Sequence, residues 1–130
     1  MIAFDSSALV KLLVEEEHSE ALEVWLGARP RSPRGASALC RVEVLRAVSR
    51  LTVDIEHEAR ELLSGLELMP LSPRVLERAA TLPPPILRSL DAIHLATATL
   101  FGAELEAFVV YDERLAAAAT AAGLPVVAPA

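Results

Sequence analysis

Cysteine occurs once in this sequence, at Cys40, so no disulfide can close within the chain, and no charged-then-apolar leader opens it. Both features lead us to expect a protein of the reducing cytoplasm. Lysine also occurs once, as Lys11, and the formal net charge is −6. A protein that grips nucleic acid through a broad basic face is therefore not expected. Aromatic residues make up only 4%, so the core should be aliphatic, which favours helices over an all-β build. Apolar runs such as Leu115 to Ala119 fall far short of the roughly 20 residues that cross a bilayer, and no membrane span is expected. Gly-x-Gly-x-x-Gly and Gly-Lys-Ser/Thr loops are absent, so nucleotide cofactors lack their usual cradle. His57-Glu58 opens like a zinc-protease motif, but Glu61 stands where the second histidine belongs.

What is present fits a single domain over residues 1–130: 53% of the residues are hydrophobic, enough to bury a core without staples. The positive charge is almost entirely arginine, a side chain suited to bidentate phosphate contacts. Arg29, Arg31, Arg34 and Arg41 cluster in one stretch, either as a solvated loop or as a phosphate-contacting rim.

Strand and helix signals alternate. Ile2 to Phe4 reads as a strand, and a helix starts at Ser6 with Leu9, Leu12 and Leu13 on one face. The segment Glu15 to Glu23 opens a second helix, with Leu22, Trp25 and Leu26 as its stripe, ended by Gly27 and Pro30; Trp25 reads as a core or dimer contact. Gly35 to Ser37 is a short strand, and Ala38 to Leu51 is a helix with its periodicity in Val42, Leu45 and Val48. Further elements are a helix over Ile55 to Leu63, with Asp54 as its cap, a strand over Leu66 to Pro70 and a helix over Ser72 to Ala80. Pro83, Pro84 and Pro85 stiffen a loop leading into a helix over Ser89 to Leu100. Phe108 to Tyr111 is a buried strand, Arg114 to Ala122 a helix capped by Gly123, and Pro125 to Val127 a closing strand. With no hairpin signal, the expected architecture is α/β, a three-layer α/β/α domain around a mainly parallel sheet.

Aspartate is scarce: Asp5, Asp54, Asp91 and Asp112 are the only ones among 18 acidic residues. Asp5 and Asp112 each follow a predicted strand, at the edge where reactive crevices of open α/β sheets lie. Asp91 lies among core residues of its helix, where a lone carboxylate needs a cationic partner. Short aspartates suit a tight oxygen-ligand site for Mg²⁺ or Mn²⁺. Simpler roles exist for each acid. Asp5 and Asp112 fit as caps of the following helices, Glu43 can pair with Arg46 one turn on, and Asp91 can pair with Arg88.

The segments Ile2-Ala-Phe-Asp-Ser-Ser-Ala-Leu-Val-Lys, Arg41-Val-Glu-Val-Leu-Arg-Ala, Leu87-Arg-Ser-Leu-Asp-Ala-Ile-His-Leu-Ala-Thr-Ala and Val109-Val-Tyr-Asp-Glu-Arg-Leu, in this order, resemble a PIN domain of the VapC toxin group over essentially the full length. The resemblance implies that Asp5, Glu43, Asp91 and Asp112 converge on one or two divalent ions, Mg²⁺ or Mn²⁺, and that the activity is hydrolysis of RNA. It also implies a cognate VapB-type antitoxin and a toxin homodimer. Four gathered carboxylates would raise one another's pKa values, so the cluster requires a cation. That cation can also attract an RNA phosphate into a site that would otherwise reject it.

The mechanism to be expected is in-line attack on the scissile phosphate by water that the metal activates, without a covalent enzyme intermediate. Ser7 supports a metal ligand or serves as a helix-terminal hydroxyl. Arg88 and Arg114 bind phosphate or form ion pairs within the chain. His94 reads as a satisfied buried histidine. Two other classes compete. A phosphoacceptor receiver domain needs a lysine near its last strands, and none follows Lys11. A non-catalytic PIN-like RNA- or protein-binding module would keep the fold without turnover.

Overall fold

The structure, a computed structural model, describes all residues from Met1 to Ala130. Five strands, β1 (Ile2–Phe4), β2 (Arg34–Ser37), β3 (Glu67–Met69), β4 (Ala107–Val109) and β5 (Val126–Val127), form one sheet in the order β3-β2-β1-β4-β5. All four pairings are parallel, with Phe4 opposite Ala36 on one side and Val109 on the other. Seven α-helices connect and cover the strands: α1 (Ser6–Lys11), α2 (Ser19–Gly27), α3 (Leu39–Ser49), α4 (Glu56–Ser64), α5 (Pro73–Thr81), α6 (Ser89–Phe101) and α7 (Glu113–Ala121).

Side chains alternate across the sheet, which therefore needs two cores. Ile2, Phe4 and Val109 point into a cluster with Leu9, Leu22, Leu26, Val44, Val48 and Leu63 of α1 to α4. Ala3, Phe108 and Val110 point the other way, against Leu95, Phe101, Leu115 and Ala118 of α6 and α7. This is the expected three-layer α/β/α arrangement. The chain leaves β1 toward β2 and β3, then crosses back to β4 and β5. The boundary between β1 and β4 is thus the switch point at which such sheets open a crevice beyond the strands' carboxyl ends.

Several local expectations are corrected. The second helix starts at Ser19, not within the glutamates before it. There the Lys11 ammonium donates to Glu16 Oε1 (3.2 Å) and to the Glu17 carbonyl (2.9 Å), while the Ser19 hydroxyl accepts from Glu16 N (3.0 Å). These bonds hold a turn that ends with His18 at φ 70°. On α3 the buried stripe is Cys40, Val44 and Val48; Val42, two positions out of register, is 56% exposed. The cap position of α4 is Ile55, and Asp54 acts one step earlier by accepting from Glu56 N at 3.2 Å. The fourth strand ends at Val109, although Val110 N still bonds the Val127 carbonyl at 3.1 Å. No helix is long and apolar enough to cross a membrane.

Candidate active site

Asp5 leaves β1 and caps α1, its Oδ1 accepting from Ala8 N at 2.9 Å. Asp112 does the same for α7, accepting from Leu115 N at 2.8 Å. Both acids therefore do fill the simple capping role, and in doing so they are pinned at the carboxyl end of two adjacent strands. Ser7 donates to both Asp5 oxygens, at 3.1 and 2.9 Å, which fixes the plane of that buried carboxylate.

Asp91 lies in the first turn of α6 and is half-buried, with Ala92 and Leu95 carrying the core side of the helix. The expectation of a core-embedded charge is thus corrected: the carboxylate reaches the rim. Burial raises its pKa, as do the charges of Asp112 and Glu43, against the opposing fields of His94 and Arg88. Burial likewise raises Asp5, against its bonds from Ala8 and Ser7 and the field of His94, with the Asp91 charge adding to the rise. Asp91 thus lies within reach of the charges of Asp112 and Glu43, and Asp5 within reach of the charge of Asp91.

Glu43 does not pair with Arg46. Its Oε1 lies 2.6 Å from Nε2 of His94 and accepts from the Ser6 hydroxyl at 2.7 Å. The His94 bond is the main reason its pKa is lowered; burial opposes this and the Ser6 bond assists. For His94, burial works against the charge, but contacts with Cys40 and Glu43 prevail and push its pKa up to about 10. A carboxylate only accepts, so Nε2 of His94 is the donor to Glu43. The expectation of a satisfied histidine is half right, since Nδ1 is buried without any partner. The sequence assigns no site role to Ser6 or to Cys40, which stands 3.2 Å from the Ser6 hydroxyl. The signal was present in the spacing: Cys40 and Glu43, and Asp91 and His94, are each three apart and so share a helix face.

Beside these acids lies a cleft of about 1090 Å³, lined by Asp91, Asp112, Arg88 and Arg114 together with apolar residues including Ile86 and Ala118. Neither arginine takes part in the chain's ion pairs, which use Lys11, Arg29, Arg60 and three histidines. Structural ion pairing, one of the two roles open to Arg88 and Arg114, is thus not formed. Of the clustered arginines, Arg29 is committed elsewhere, packed 3.9 Å over the Trp25 ring and paired with Glu106.

The donor set is all carboxylate oxygen, which suits a hard divalent cation. Burial raises the pKa values of Asp5 and Asp91, with neighbouring carboxylate charge adding to each rise, and a cation held there would offset that cost. As they stand, no three acidic, histidine or cysteine side chains form an arrangement that could hold a metal ion.

A strand-end acidic site at the switch point of a parallel α/β/α sheet defines a class, and comparison with known proteins identifies it. The PIN domain family matches residues 2–121, and the chain belongs to that family. Similar proteins within it include VapC proteins of Mycobacterium tuberculosis. Ribonuclease VapC46 is 45% identical over 128 residues, covering 98% of this chain and 97% of the relative. Ribonuclease VapC47 is 44% identical over 132 residues, covering 99% and 97%. Among solved structures, a toxin-antitoxin complex from Klebsiella pneumoniae superimposes with a TM-score of 0.73 at 27% identity, over 100% of this chain and 98% of that one. FitAcB from Neisseria gonorrhoeae, with a TM-score of 0.78 at 20% identity over 99% and 98%, shares the fold.

Proposed function

We propose that this chain is an endoribonuclease toxin of the VapC type that depends on Mg²⁺ or Mn²⁺, with Asp5, Glu43, Asp91 and Asp112 as its metal-holding and catalytic residues. The observation that carries the reading is that the charges of Asp112 and Glu43 reach Asp91, and that of Asp91 reaches Asp5. It links acids from four separate segments at the sheet's switch point, beside a cleft with two uncommitted arginines. Near-full-length identity of 44–45% to proteins named ribonuclease VapC supports the activity.

A divalent cation, when bound, would supply Lewis-acid charge at a scissile phosphate and bring the pKa of water toward neutrality. The chain's own residues do the rest. Asp5, fixed by Ala8 and Ser7, and Asp91, at the rim of the cleft, offer oxygens from two sides. Asp112 keeps Oδ2 free of hydrogen bonds while Oδ1 caps its helix. Arg88 and Arg114 hold RNA phosphates along the cleft, which offsets the chain's overall negative charge.

A cognate VapB-type antitoxin belongs to this reading, supported by the likeness to a toxin-antitoxin complex. So does a homodimer, for which Val24 (69% exposed), on the helix that carries Trp25, offers apolar surface. The lone buried Cys40 supports a reducing cytoplasmic setting.

The test compares wild type, Asp5→Asn and Asp91→Asn on structured RNA with Mg²⁺, Mn²⁺ or EDTA. Wild type cleaves only with the metals, and each variant loses at least a hundredfold in rate. Equal cleavage by all three proteins would mean a contaminant or another site. Metal-independent RNA binding without turnover would instead identify a non-catalytic PIN-like module.

A further inference from the structure

We propose that Ser6 and His94 are positioning residues that clamp Oε1 of Glu43 and leave Oε2 as the oxygen this carboxylate presents to a metal. The proposal rests on the metal-dependent reading above and deepens it.

Both hydrogen bonds to Glu43 fall on Oε1, from Ser6 at 2.7 Å and His94 at 2.6 Å, and Oε2 has no partner in the chain. A glutamate on a half-exposed helix face otherwise samples many rotamers, and Arg46 one turn away offers it a competing partner. Contacts from two different elements, α1 and α6, remove that freedom. The donors are chain neighbours of the other acids: Ser6 directly follows Asp5, and His94 stands one helical turn after Asp91. Whatever fixes Asp5 and Asp91 therefore fixes Glu43 relative to them. Ligating carboxylates are commonly held by such hydrogen bonds, which set their orientation before the ion arrives.

A histidine kept only for packing would have both ring nitrogens satisfied. His94 is 3% exposed and its Nδ1 has no partner. Apart from a 3.5 Å approach to Ser6 and the contact with Cys40 that raises its pKa, its hydrogen bond is the 2.6 Å one to Glu43. The ring is thus retained in an apolar helix at the expense of one orphaned nitrogen, and what the structure gains is the held carboxylate.

The experiment uses the full chain, with Mn²⁺ alone as the probe, titrated by electron paramagnetic resonance against wild type, Ser6→Ala, Ser6→Thr, His94→Gln and Glu43→Gln. Ser6→Ala and His94→Gln each weaken Mn²⁺ binding about tenfold or more, and Ser6→Thr, which keeps the hydroxyl, stays close to wild type. Adding His94→Gln to Glu43→Gln produces no further loss, because the clamp acts only through Glu43. Affinities within twofold of wild type for folded Ser6→Ala and His94→Gln would overturn the proposal. If His94→Gln does not fold, Ser6→Ala decides. Crystal structures of the metal-free variants read the clamp directly: Glu43 leaving its rotamer supports it, and an unmoved Glu43 overturns it. Wild type that binds Mn²⁺ no better than Glu43→Gln would refute the metal reading, while those rotamers would still decide whether Glu43 is clamped.

Discussion

Ser7 donates a single hydroxyl to both oxygens of Asp5, at 3.1 and 2.9 Å, so a carboxylate that is 6% exposed is held flat against the start of α1. Burial still raises its pKa, which means that the ionised form destabilises the folded chain when no cation is bound.

The first prediction follows from that sign. A raised folded pKa means that the native state binds more protons than the unfolded state, so this contribution to stability falls as pH rises from the ordinary 3.8 through the raised value. Asp5→Asn keeps an oxygen for Ala8 and removes the charge. In EDTA at pH 7 it should melt a few degrees above wild type, on the order of 1 kcal/mol. The gap should close toward pH 3.5. A lower melting temperature for the variant at pH 7 would show that the charge is not a burden.

Arg88 and Arg114 face the cleft without ion-pair partners. Replacing either with Ala should raise KM for RNA several-fold with little change in Mn²⁺ affinity, and should lower the salt dependence of binding by about one phosphate contact. A fall in kcat at unchanged KM would place the arginine in the chemistry instead.

Gly35, in the middle of β2, has no room for a side chain. A Cβ there would meet Met1 Sδ at 2.8 Å, Phe101 Cζ at 2.9 Å and the Glu67 carbonyl at 3.0 Å. Met1 and Phe101 can shift, but the carbonyl belongs to the neighbouring strand. Gly35→Ala should therefore destabilise the chain by about 1–3 kcal/mol in urea unfolding; an unchanged midpoint would show that β2 and β3 can part without penalty.

Tyr111 ties the chain's last residues to the N-terminal half. Its hydroxyl donates to the Pro129 carbonyl at 2.9 Å, its ring stacks on His18 at 5.6 Å, and Lys11 sits 4.7 Å from its centre. Tyr111→Phe should cost about 0.5–1.5 kcal/mol, with faster hydrogen exchange at Val110, whose N–H bonds the Val127 carbonyl at 3.1 Å. Unchanged exchange there would mean that the β5 pairing alone holds the terminus.

The elements with strong signals are legible in the sequence: the apolar strand before Asp5, the helix over Ser72 to Ala80, and the long apolar helix carrying Asp91. The second helix was misplaced because its glutamates favour helix locally, while Lys11 and Ser19 hold them in a turn through contacts that propensity does not describe. Val42 was misassigned because Val42, Leu45 and Val48 fit helical spacing as well as Cys40, Val44 and Val48 do; only the position of the sheet selects between the two stripes.

The order of strands and helices, the placement of Asp5 and Asp112 after strands, and the scarcity of aspartate are properties of the chain itself, because they depend on local propensity and on period. The sharing of one field by Asp5, Glu43, Asp91 and Asp112, and the gripping of one Glu43 oxygen by Ser6 and His94, were decided only by tertiary structure. Those contacts join α1, α3 and α6 across the sheet's switch point, and the distance between residues so far apart along the chain is set by how the layers pack.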